Sequence, residues 1–433
     1  MPLDSQATEL NEAIQNANPY IFNMLSQKGK QVYFPTKGIL GQTAQAKTKS
    51  INATIGISLE DNGMPMVLES IDRMLNIQKQ SFSYAPSYGN PEMRSMWKEM
   101  LYRKNPSLKE KPFSLPVVTS ALTHGLSMAG HLFVENGDSI ICPDLYWENY
   151  DLIFKQTYGA RLETFPTFCD DEKFNIEYLE KHITGQKVGK KIVMLNFPNN
   201  PSGYTVSEQE AEQIKDLLVK AADNGNDIIV FIDDAYFGLV YEKGILKESI
   251  FSLLADAHER ILAVKFDGPT KEDYVWGFRV GFVSFASARS TPQLYSALES
   301  KLAGAIRGNI SNASNLSQNL LLEAYRDDSY QAQKLEKFEI LQKRYRKIRQ
   351  IFSEHPEYAT LFKPLPFNSG YFMCVKILSG DAHGVRNILL DKYDTGVIAQ
   401  NDLLRIAFSS IPFQYLEKLF DNIYKAASEA NGN

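Results

Sequence analysis

Long apolar runs, paired cysteines and a strong charge of either sign are all missing from this sequence. No stretch approaches the roughly twenty apolar residues that a membrane-spanning helix needs. Lysine and arginine total 46 against 51 aspartates and glutamates, a formal net charge of −5, which argues against a general binder of nucleic acid or anionic lipid. The N-terminal segment is polar and shows no signal-peptide pattern. We therefore expect a cytoplasmic protein that binds neither nucleic acid nor membrane.

Metal ligands and nucleotide-binding loops are also scarce. The three cysteines are odd in number and form no CxxC pair, which predicts a reducing compartment and no zinc site. His124 and His131 could share a helix face but lack a third ligand, so no metal is expected. No GxGxxG follows a strand, and the P-loop-like stretch 185–191 is too short, lacks its Ser/Thr and precedes a strand. These absences argue against a Rossmann oxidoreductase and a P-loop NTPase.

The middle of the chain alternates short runs of Val, Ile and Phe with longer amphipathic stretches, a pattern typical of β/α units. Most of these runs show no polar alternation, as expected for strands covered on both faces by helices. The best helix signal is the capping box Ser207-Glu208-Gln209-Glu210, and Asn224-Gly225 ends that helix. The charge-rich stretch 342–350 is predicted to form a solvated helix face. The predicted strands of this region are 117–120, 139–142, 191–196, 228–233, 261–266 and 280–285.

With 433 residues the chain is longer than one ordinary core usually holds, so we expect an α/β protein of two parts. Residues 71–305 are predicted to form a large domain with a mostly parallel sheet flanked by helices. Residues 1–70, expected to be irregular, and residues 306–433 are predicted to form one smaller α+β domain together. Its predicted strands are 370–377 and 403–409.

Four groups of residues suited to chemistry follow or precede predicted strands at the edge where open α/β sheets bind ligands. Their order resembles that of fold-type I aminotransferases that use pyridoxal 5'-phosphate, the class I and II group that includes aspartate aminotransferase. That family has an Asn-Pro-Ser/Thr-Gly turn, then Asp-x-Ala-Tyr, then a lysine, then Gly-x-Arg-x-Gly with the arginine eight residues after the lysine. The resemblance runs from about Asn52 to Ser409. The groups are Asn196-Phe197-Pro198-Asn199-Asn200-Pro201-Ser202-Gly203, Asp233-Asp234-Ala235-Tyr236, Lys271 and Gly277-Phe278-Arg279-Val280-Gly281.

The resemblance implies that Lys271 is the catalytic residue. Its amine would form an imine with the aldehyde of the cofactor and, once displaced by the substrate amine, carry a proton between substrate and cofactor. Lys265 is the nearby rival, but it lies inside an apolar strand and fourteen residues from Arg279. A buried carboxylate beside the ring nitrogen keeps that nitrogen protonated, and Asp233 fits this position, with Asp234 as the alternative.

The same resemblance assigns residues to the phenolic oxygen and the phosphate of the cofactor. Tyr236 and Asn200 are expected to hydrogen-bond its phenolic oxygen. Its phosphate requires NH groups at a helix N-terminus together with a cation. The main chain at Ala121 and Leu122 and the guanidinium of Arg279 are expected to provide them.

The sequence departs from the family pattern around the phosphate. Gly268 stands where many relatives have a serine three residues before the lysine, and the usual turn glycine is missing. Thr270 is expected to supply a hydroxyl instead. Trp147 is expected to stack on the pyridine face, with plain core packing as the alternative. Tyr84 matches a tyrosine that reaches the partner subunit's phosphate site, which implies a homodimer with shared active sites.

Substrate recognition requires a planar bidentate donor for the α-carboxylate. Arg405 stands where the family places that donor, and Gly56 matches the glycine whose backbone lies against the substrate. Arg307, followed by Ser311-Asn312, has the spacing of the arginine that binds a distal carboxylate from the partner subunit in aspartate aminotransferases. An ordinary surface arginine is an equal alternative for it.

Together these residues predict an aminotransferase that moves an amino group between an amino acid and a 2-oxo acid by a ping-pong mechanism. A dicarboxylic substrate is one option. Because the cofactor stabilises a carbanion and its surroundings choose the bond that breaks, a carbon-sulfur β-lyase or an amino-acid decarboxylase is the alternative. A non-catalytic binding or regulatory domain is the least favoured interpretation. The resemblance does not fix which amino acid is used.

Overall fold

The fold was analysed in a computed structural model, which describes residues 3–17, 39–54, 56–72, 79–185, 187–378 and 380–431. None of the helices in these ranges is both long enough and apolar enough to cross a membrane. In chain order, the strands are β1 Ile51–Asn52, β2 Val117–Thr119, β3 Ser139–Pro143, β4 Arg161–Phe165, β5 Lys190–Asn196, β6 Asp227–Asp233, β7 Ile261–Asp267, β8 Gly281–Ala286, β9 Phe362–Pro364, β10 Phe372–Ile377, β11 Thr395–Gly396, β12 Ile398–Gln400 and β13 Leu403–Ala407.

The helices lie between these strands and at both ends of the described chain. The α-helices are Ser5–Ala17, Ile39–Ala46, Glu69–Asp72, Pro91–Lys104, Ala121–Phe133, Ile176–Thr184, Glu208–Asp223, Ile250–Leu254, Pro269–Glu272, Pro292–Asn309, Asn315–Arg326, Tyr330–Glu354, Ala382–Lys392 and Leu416–Asn431, and Asp151–Gln156 is a π-helix. Helix Glu208–Asp223 begins with the predicted capping box: Ser207 Oγ accepts from the NH of Glu210, and the Glu210 carboxylate accepts from the NH of Ser207. That prediction is confirmed.

The main sheet has seven strands in the order β2-β8-β7-β6-β5-β3-β4. Strand β8 is antiparallel to both of its neighbours, and the other pairs are parallel. Since β8 runs the opposite way, the residues just before it lie at the same edge as the carboxyl ends of the parallel strands. The four motif groups predicted from the sequence therefore reach one edge of one sheet.

The burial of a strand explains whether it could be predicted from the sequence. All residues of β5 after its first are buried, because helices cover both faces of the sheet, and all six predicted strands of this sheet are present within a residue or two. The seventh, β4, was not predicted. It is an edge strand whose residues Arg-Leu-Glu-Thr-Phe are mostly exposed or half-buried, so its sequence carries no apolar run.

Two hydrophobic clusters cover the two faces of the main sheet. On one face the indole of Trp97 stacks on Phe282 with ring centroids 4.3 Å apart. On the other face Phe231 packs against Phe154 and Phe266 at 5.8 and 5.6 Å. These aromatic contacts hold the helices against the sheet and so fix the edge where the motifs meet.

A second, antiparallel sheet has the order β12-β13-β10-β9. The N-terminal part of the chain contacts this region: β1 pairs in parallel with β11 in a separate two-stranded sheet, and the Gln42 side chain bonds both the carbonyl (2.8 Å) and the NH (2.6 Å) of Ala399 in β12. Residues before position 70 are less irregular than predicted, because Ser5–Ala17 and Ile39–Ala46 are helical. The α/β fold class is confirmed, whereas the domain limits at 70/71 and 305/306 stay predictions.

The prediction that residues 342–350 form a solvated helix face is wrong for one of the cationic side chains in this stretch. The Arg344 side chain is fully buried, and its guanidinium donates to the carbonyls of Leu59 and Ser409. It also pairs with Asp61 at 3.0 Å. Arg344 instead fixes the long helix Tyr330–Glu354 against the N-terminal segment, which a helical charge pattern alone cannot reveal.

The turn after β5 connects the two sheets at Gly203. This glycine has φ +74°, and its carbonyl accepts from the NH groups of Asn368 and Ser369, each at 2.9 Å. A Cβ at this position would lie 1.9 Å from the carbonyl oxygen of Phe372. Only glycine fits here, because both the backbone conformation and the space exclude a side chain.

We predict that Gly203→Ala lowers the free energy of unfolding by about 3 kcal/mol or more, since it adds a backbone clash to the strain of a left-handed conformation. Gly137→Ala is the control, because Gly137 has φ +92° but no atom within 4 Å of its Cβ position. The control should cost only about 1 to 2 kcal/mol. Urea unfolding of both variants measures the difference, and equal losses would contradict the prediction.

Candidate active site

A cavity of about 460 Å³ opens where the edge of the main sheet meets the small sheet. Apart from Tyr84 and Arg307, every site residue predicted from the sequence lines it. The lining residues are Thr43, Thr54, Gly56, Ala121, Leu122, Thr123, Trp147, Asn196, Asn200, Asp233, Ala235, Tyr236, Thr270, Lys271, Arg279, Phe372 and Arg405.

Asp233, the last residue of β6, forms a buried acidic point in the cavity wall, with 3% of its surface exposed. Its carboxylate accepts from the Tyr150 hydroxyl at 2.6 Å and from the NH of Ala235 at 3.1 Å. Burial raises the pKa of Asp233, while the bond from Tyr150 and the charge of Lys271 act in the opposite direction. A cation beside this carboxyl would favour its charged form.

Asp234, the alternative to Asp233, points away from the cavity. Its carboxylate pairs with Lys265 and accepts from the Ser249 hydroxyl at 2.5 Å. Lys265 is also buried, and its amine lies 3.6 Å from Asp267. Because each neutralises the other inside the core, neither Asp234 nor Lys265 is available to a ligand. The structure therefore separates each rival residue from the one that lines the cavity.

Lys271 carries the amine of the cavity. It belongs to the short helix Pro269–Glu272 that follows β7, and its Nζ lies 5.1 Å from the ring centroid of Tyr236. Among the described residues, none accepts a hydrogen bond from this amine. Burial and the positive charge of Arg279 lower the pKa of Lys271 to about 8, although Asp233 opposes the change. At about pH 7 a lysine of this kind is neutral in about one molecule in ten, far more often than an ordinary lysine with a pKa of about 10.4, and can act as a nucleophile or base.

The anion-binding end of the cavity is built from a helix N-terminus and a cation. Helix Ala121–Phe133 begins directly after β2 and Ser120, and its first residues, Ala121, Leu122 and Thr123, line the cavity. Ala121 lies in this turn with φ +64°, a left-handed backbone conformation that glycine adopts most easily. Gly281 packs beneath this turn, since a Cβ there would lie 2.6 Å from the carbonyl carbon of Ala121. Arg279 is exposed to the cavity, and its guanidinium bonds the carbonyl of Trp276 at 3.3 Å.

Arg405 supplies a second guanidinium from β13 of the small sheet. It is buried, lies 4.7 Å from the ring centroid of Phe372, and donates a long bond of 3.5 Å to Asn200 Oδ1. Its Nε is buried with no hydrogen-bond partner in the described part of the chain. A buried donor without an acceptor is costly, and a ligand carboxylate would satisfy it.

Asn200 lies between the two sheets. Its NH donates to Asn196 Oδ1 at 2.8 Å, and the amide of Asn196 in turn donates to the carbonyl of Asp233 at 2.7 Å. This chain of bonds fixes the position of Asn200 relative to the acidic end of β6. Trp147, whose ring meets Tyr150 edge-on at 5.7 Å, is half-buried in the same wall.

Tyr84 and Arg307 lie outside this cavity, on one shared surface. Tyr84 is 91% exposed and lies in the segment in which the Ser87 hydroxyl bonds the carbonyl of Ser311 at 2.8 Å. Arg307 is exposed in the last turn of helix Pro292–Asn309, just before Ser311. The two residues that the sequence directs to a partner subunit are thus both exposed, and the bond between Ser87 and Ser311 joins the segments that carry them.

Sequence reasoning missed several residues of the site. Tyr150 was not predicted because its hydroxyl acts on Asp233 and not on a ligand, although it follows the tryptophan motif by three residues. Thr43 comes from helix Ile39–Ala46, where no motif marked it. Phe372 was inside a predicted strand, and only the fold shows that its ring faces the cavity.

The cavity's donors and acceptors suit pyridoxal 5'-phosphate. The unpaired amine of Lys271, the buried carboxyl of Asp233 and the helix N-terminus beside Arg279 match an aldehyde, a ring nitrogen and a phosphate in turn. The buried Nε of Arg405 remains for the carboxylate of a substrate. The residues that are present therefore fit the group that the sequence implies.

The comparisons with known proteins agree with this geometry. Residues 48–423 match the family model for aminotransferase class I and II. An aspartate aminotransferase of Pyrococcus abyssi is 26% identical over 47% of this chain and 49% of its own length. A probable N-acetyl-LL-diaminopimelate aminotransferase of Bacillus subtilis is 26% identical over 57% of this chain and 56% of its own. The chain thus aligns with about half the length of these curated relatives.

Solved structures match over a greater length. An aminotransferase of Anaerococcus prevotii superposes with a TM-score of 0.81 at 24% identity, covering 94% of this chain and 99% of that one. A kynurenine aminotransferase of Pyrococcus horikoshii, solved in complex with PMP, gives a TM-score of 0.76 at 17% identity and covers 94% and 98% of the two chains. At these identities the likeness establishes the fold.

We predict that the amine of Lys271 titrates with a midpoint of about 8 in the folded protein, because burial disfavours its charged form. Competitive acetylation from about pH 6 to about pH 11, quantified by peptide mass spectrometry, measures this midpoint. The same lysine in urea-unfolded protein is the control and should titrate near the ordinary value of about 10.4. A folded-state midpoint equal to that of the control would disprove the prediction.

Proposed function

The chain belongs to the aminotransferase class I and II family, and we propose that it is a pyridoxal 5'-phosphate-dependent aminotransferase acting between an amino acid and a 2-oxo acid. One observation carries this proposal: the unpaired amine of Lys271 lies over Tyr236 in the cavity that Asp233 also lines. When bound, the cofactor supplies an aldehyde for exchange of the amino group and a ring that takes up electrons from the substrate α-carbon.

Each residue of the cavity has a task in this reaction. Lys271 would hold the cofactor through Nζ, and once a substrate amine takes that place, the free Nζ would accept the proton from the substrate α-carbon and pass it to the cofactor. Asp233 holds the proton of the ring nitrogen by its negative charge. Arg405 binds the substrate carboxylate, and the backbone of Gly56 lies against the substrate. Tyr236 completes the wall beneath the amine.

Further residues hold the cofactor in place. Asn200, together with Tyr236, would donate to its phenolic oxygen, and Trp147 would cover one face of the ring. Arg279 and the NH groups of Ala121 and Leu122 bind the phosphate. The hydroxyl of Thr270, which lines the same end of the cavity, takes the place of the serine found in many relatives.

The homodimer is part of the proposal. The shared surface of Tyr84 and Arg307 also exposes Phe82, which is 82% accessible, and Ile310. Aromatic and aliphatic side chains beside residues that match partner-directed positions support burial against a second copy. A cytoplasmic location also remains a proposal, supported by the three free cysteines, since unpaired cysteines are typical of reducing compartments.

The half-reaction tests the proposed activity. Incubating the holoenzyme with single amino acids should convert bound pyridoxal phosphate to pyridoxamine phosphate, and borohydride reduction should fix the cofactor to Lys271. Lys271→Ala should slow the conversion by about 10²- to 10⁴-fold, because it removes both the anchor and the base. Lys247→Ala is the control, since Lys247 is exposed and outside the cavity.

Two results would reject this function. Borohydride labelling at a residue other than Lys271 would remove the proposed anchor. Release of pyruvate and ammonia without pyridoxamine phosphate would indicate a lyase.

We also propose a dicarboxylic amino acid as substrate. Among the described residues, the cavity of one chain is lined by two arginines, Arg279 and Arg405, and the proposal uses both of them. A cation for a side-chain carboxylate must then come from elsewhere, and Arg307 of the partner subunit is the candidate that the sequence spacing supports.

Arg307→Ala should lower kcat/KM for aspartate and glutamate by about 10- to 100-fold, the effect of losing one charged hydrogen bond. Neutral amino acids should be affected less than about threefold. Arg103→Ala, which removes an exposed arginine outside the cavity, is the matched control. A wild-type preference for aromatic or small neutral amino acids would exclude the dicarboxylic substrate.

A further inference from the structure

A tyrosine of the small sheet contacts the backbone of the lysine in the cavity. Tyr371 directly precedes β10 and is fully buried. Its hydroxyl donates a hydrogen bond of 2.8 Å to the carbonyl oxygen of Lys271, and its ring meets the Tyr236 ring edge-on at 5.3 Å. One side chain therefore touches both the residue that carries the amine and the aromatic ring beneath that amine.

The segment that carries Lys271 needs such contacts. Helix Pro269–Glu272 has four residues, far fewer than an isolated helix needs to be stable. Its carboxyl end is tied down by side chains: Glu272 pairs with Lys104 at 2.7 Å and with Lys334 at 2.5 Å. These ion pairs hold residue 272, but neither contacts the main chain of Lys271.

Tyr371 also connects Lys271 to the substrate-binding arginine. Its neighbour Phe372 starts β10, which pairs antiparallel with the strand of Arg405, and the Phe372 ring lies 4.7 Å from the Arg405 guanidinium. Neighbouring residues of one chain segment thus contact the lysine and the arginine. The α-carbon of an amino acid held by Arg405 must come within reach of Lys271 Nζ, so the relative position of these two residues limits the reaction.

We propose that Tyr371 is a positioning residue, whose hydroxyl fixes the backbone of Lys271 so that the amine stays over Tyr236 and at a set distance from Arg405. The phenol remains a donor at working pH, because burial raises its pKa well above the ordinary value. The inference rests on the proposed role of Lys271 and adds a residue that no cofactor or substrate atom needs to touch.

A matched pair of variants tests this inference. Tyr371→Phe removes the hydroxyl and keeps the ring. Tyr241→Phe is the control: Tyr241 is equally buried, and its hydroxyl donates 2.7 Å to the carbonyl of Gly370, but it does not contact Lys271. Both variants lose one buried bond from a tyrosine to a main-chain carbonyl, so a purely structural role predicts similar effects on thermal unfolding and on activity.

Two measurements separate the variants at a temperature where both are folded. In Tyr371→Phe, kcat should fall about tenfold with KM changed less than about twofold, because substrate binding by Arg405 remains while the base is displaced. Competitive acetylation of the cofactor-free protein should show the Lys271 midpoint rising by about one pH unit, since a freer amine reaches more water. Tyr241→Phe should leave kcat within about twofold of wild type and the Lys271 midpoint within about 0.3 pH unit of wild type.

Equal losses of activity in the two variants, or an unchanged Lys271 midpoint in Tyr371→Phe, would overturn the inference. Failure of the proposed function is a distinct result. If wild-type protein does not transaminate, the acetylation comparison still decides whether Tyr371 positions the amine, since it needs neither cofactor nor substrate.

Discussion

The interaction between the buried carboxyl of Asp233 and the amine of Lys271 sets the electrostatics of this cavity. Burial alone would make both groups neutral, since it raises the pKa of the acid and lowers that of the amine. The attraction between the two charges opposes this tendency. The hydrogen bond that the Tyr150 hydroxyl donates to Asp233 also favours the charged form of the acid. The charge of each group therefore affects the pKa of the other, and a bound cation or anion would shift both pKa values. A cavity of this kind responds strongly to the charge of its ligand.

The main sheet separates Asp233 and Lys271 from a second acid and a second lysine, Asp234 and Lys265. Successive side chains of a strand point to opposite faces, so Asp233 faces the cavity while Asp234 faces the core and pairs with Lys265. Ile232 pairs in register with Lys265, which places that lysine on the same face as Asp234. The buried pair neutralises itself and leaves Lys271 without a competing partner. Alternation along two strands thus determines which acid and which lysine meet a ligand.

The sequence predicted most of this site because its residues lie at strand ends. Local order along the chain places Asp233 and Lys271 at one edge once the strands are known to be parallel. Tyr150 could not be predicted in the same way, because its contact with Asp233 joins residues 83 positions apart in the chain. Arg344 shows the same limit. Its place in a charge-rich helical stretch predicts contact with water, yet its guanidinium donates to two carbonyls from distant parts of the chain. A long-range contact of a single side chain produces no periodic pattern in the sequence and so cannot be predicted from one.

Constraint of the backbone and freedom of the side chain are combined at Lys271. A base must meet its proton in a defined geometry, yet an ammonium group that donates to a fixed protein acceptor has a raised pKa and is less often neutral, so it is less often available as a nucleophile. The structure meets both demands by holding the residue through its main chain and its neighbour in sequence. Tyr371 binds the carbonyl of Lys271, and Glu272 is held by Lys104 and Lys334. Because these contacts come from separate parts of the chain, the position of the Lys271 amine depends on how the two sheets pack. A change where the sheets meet can therefore move the amine without contacting it.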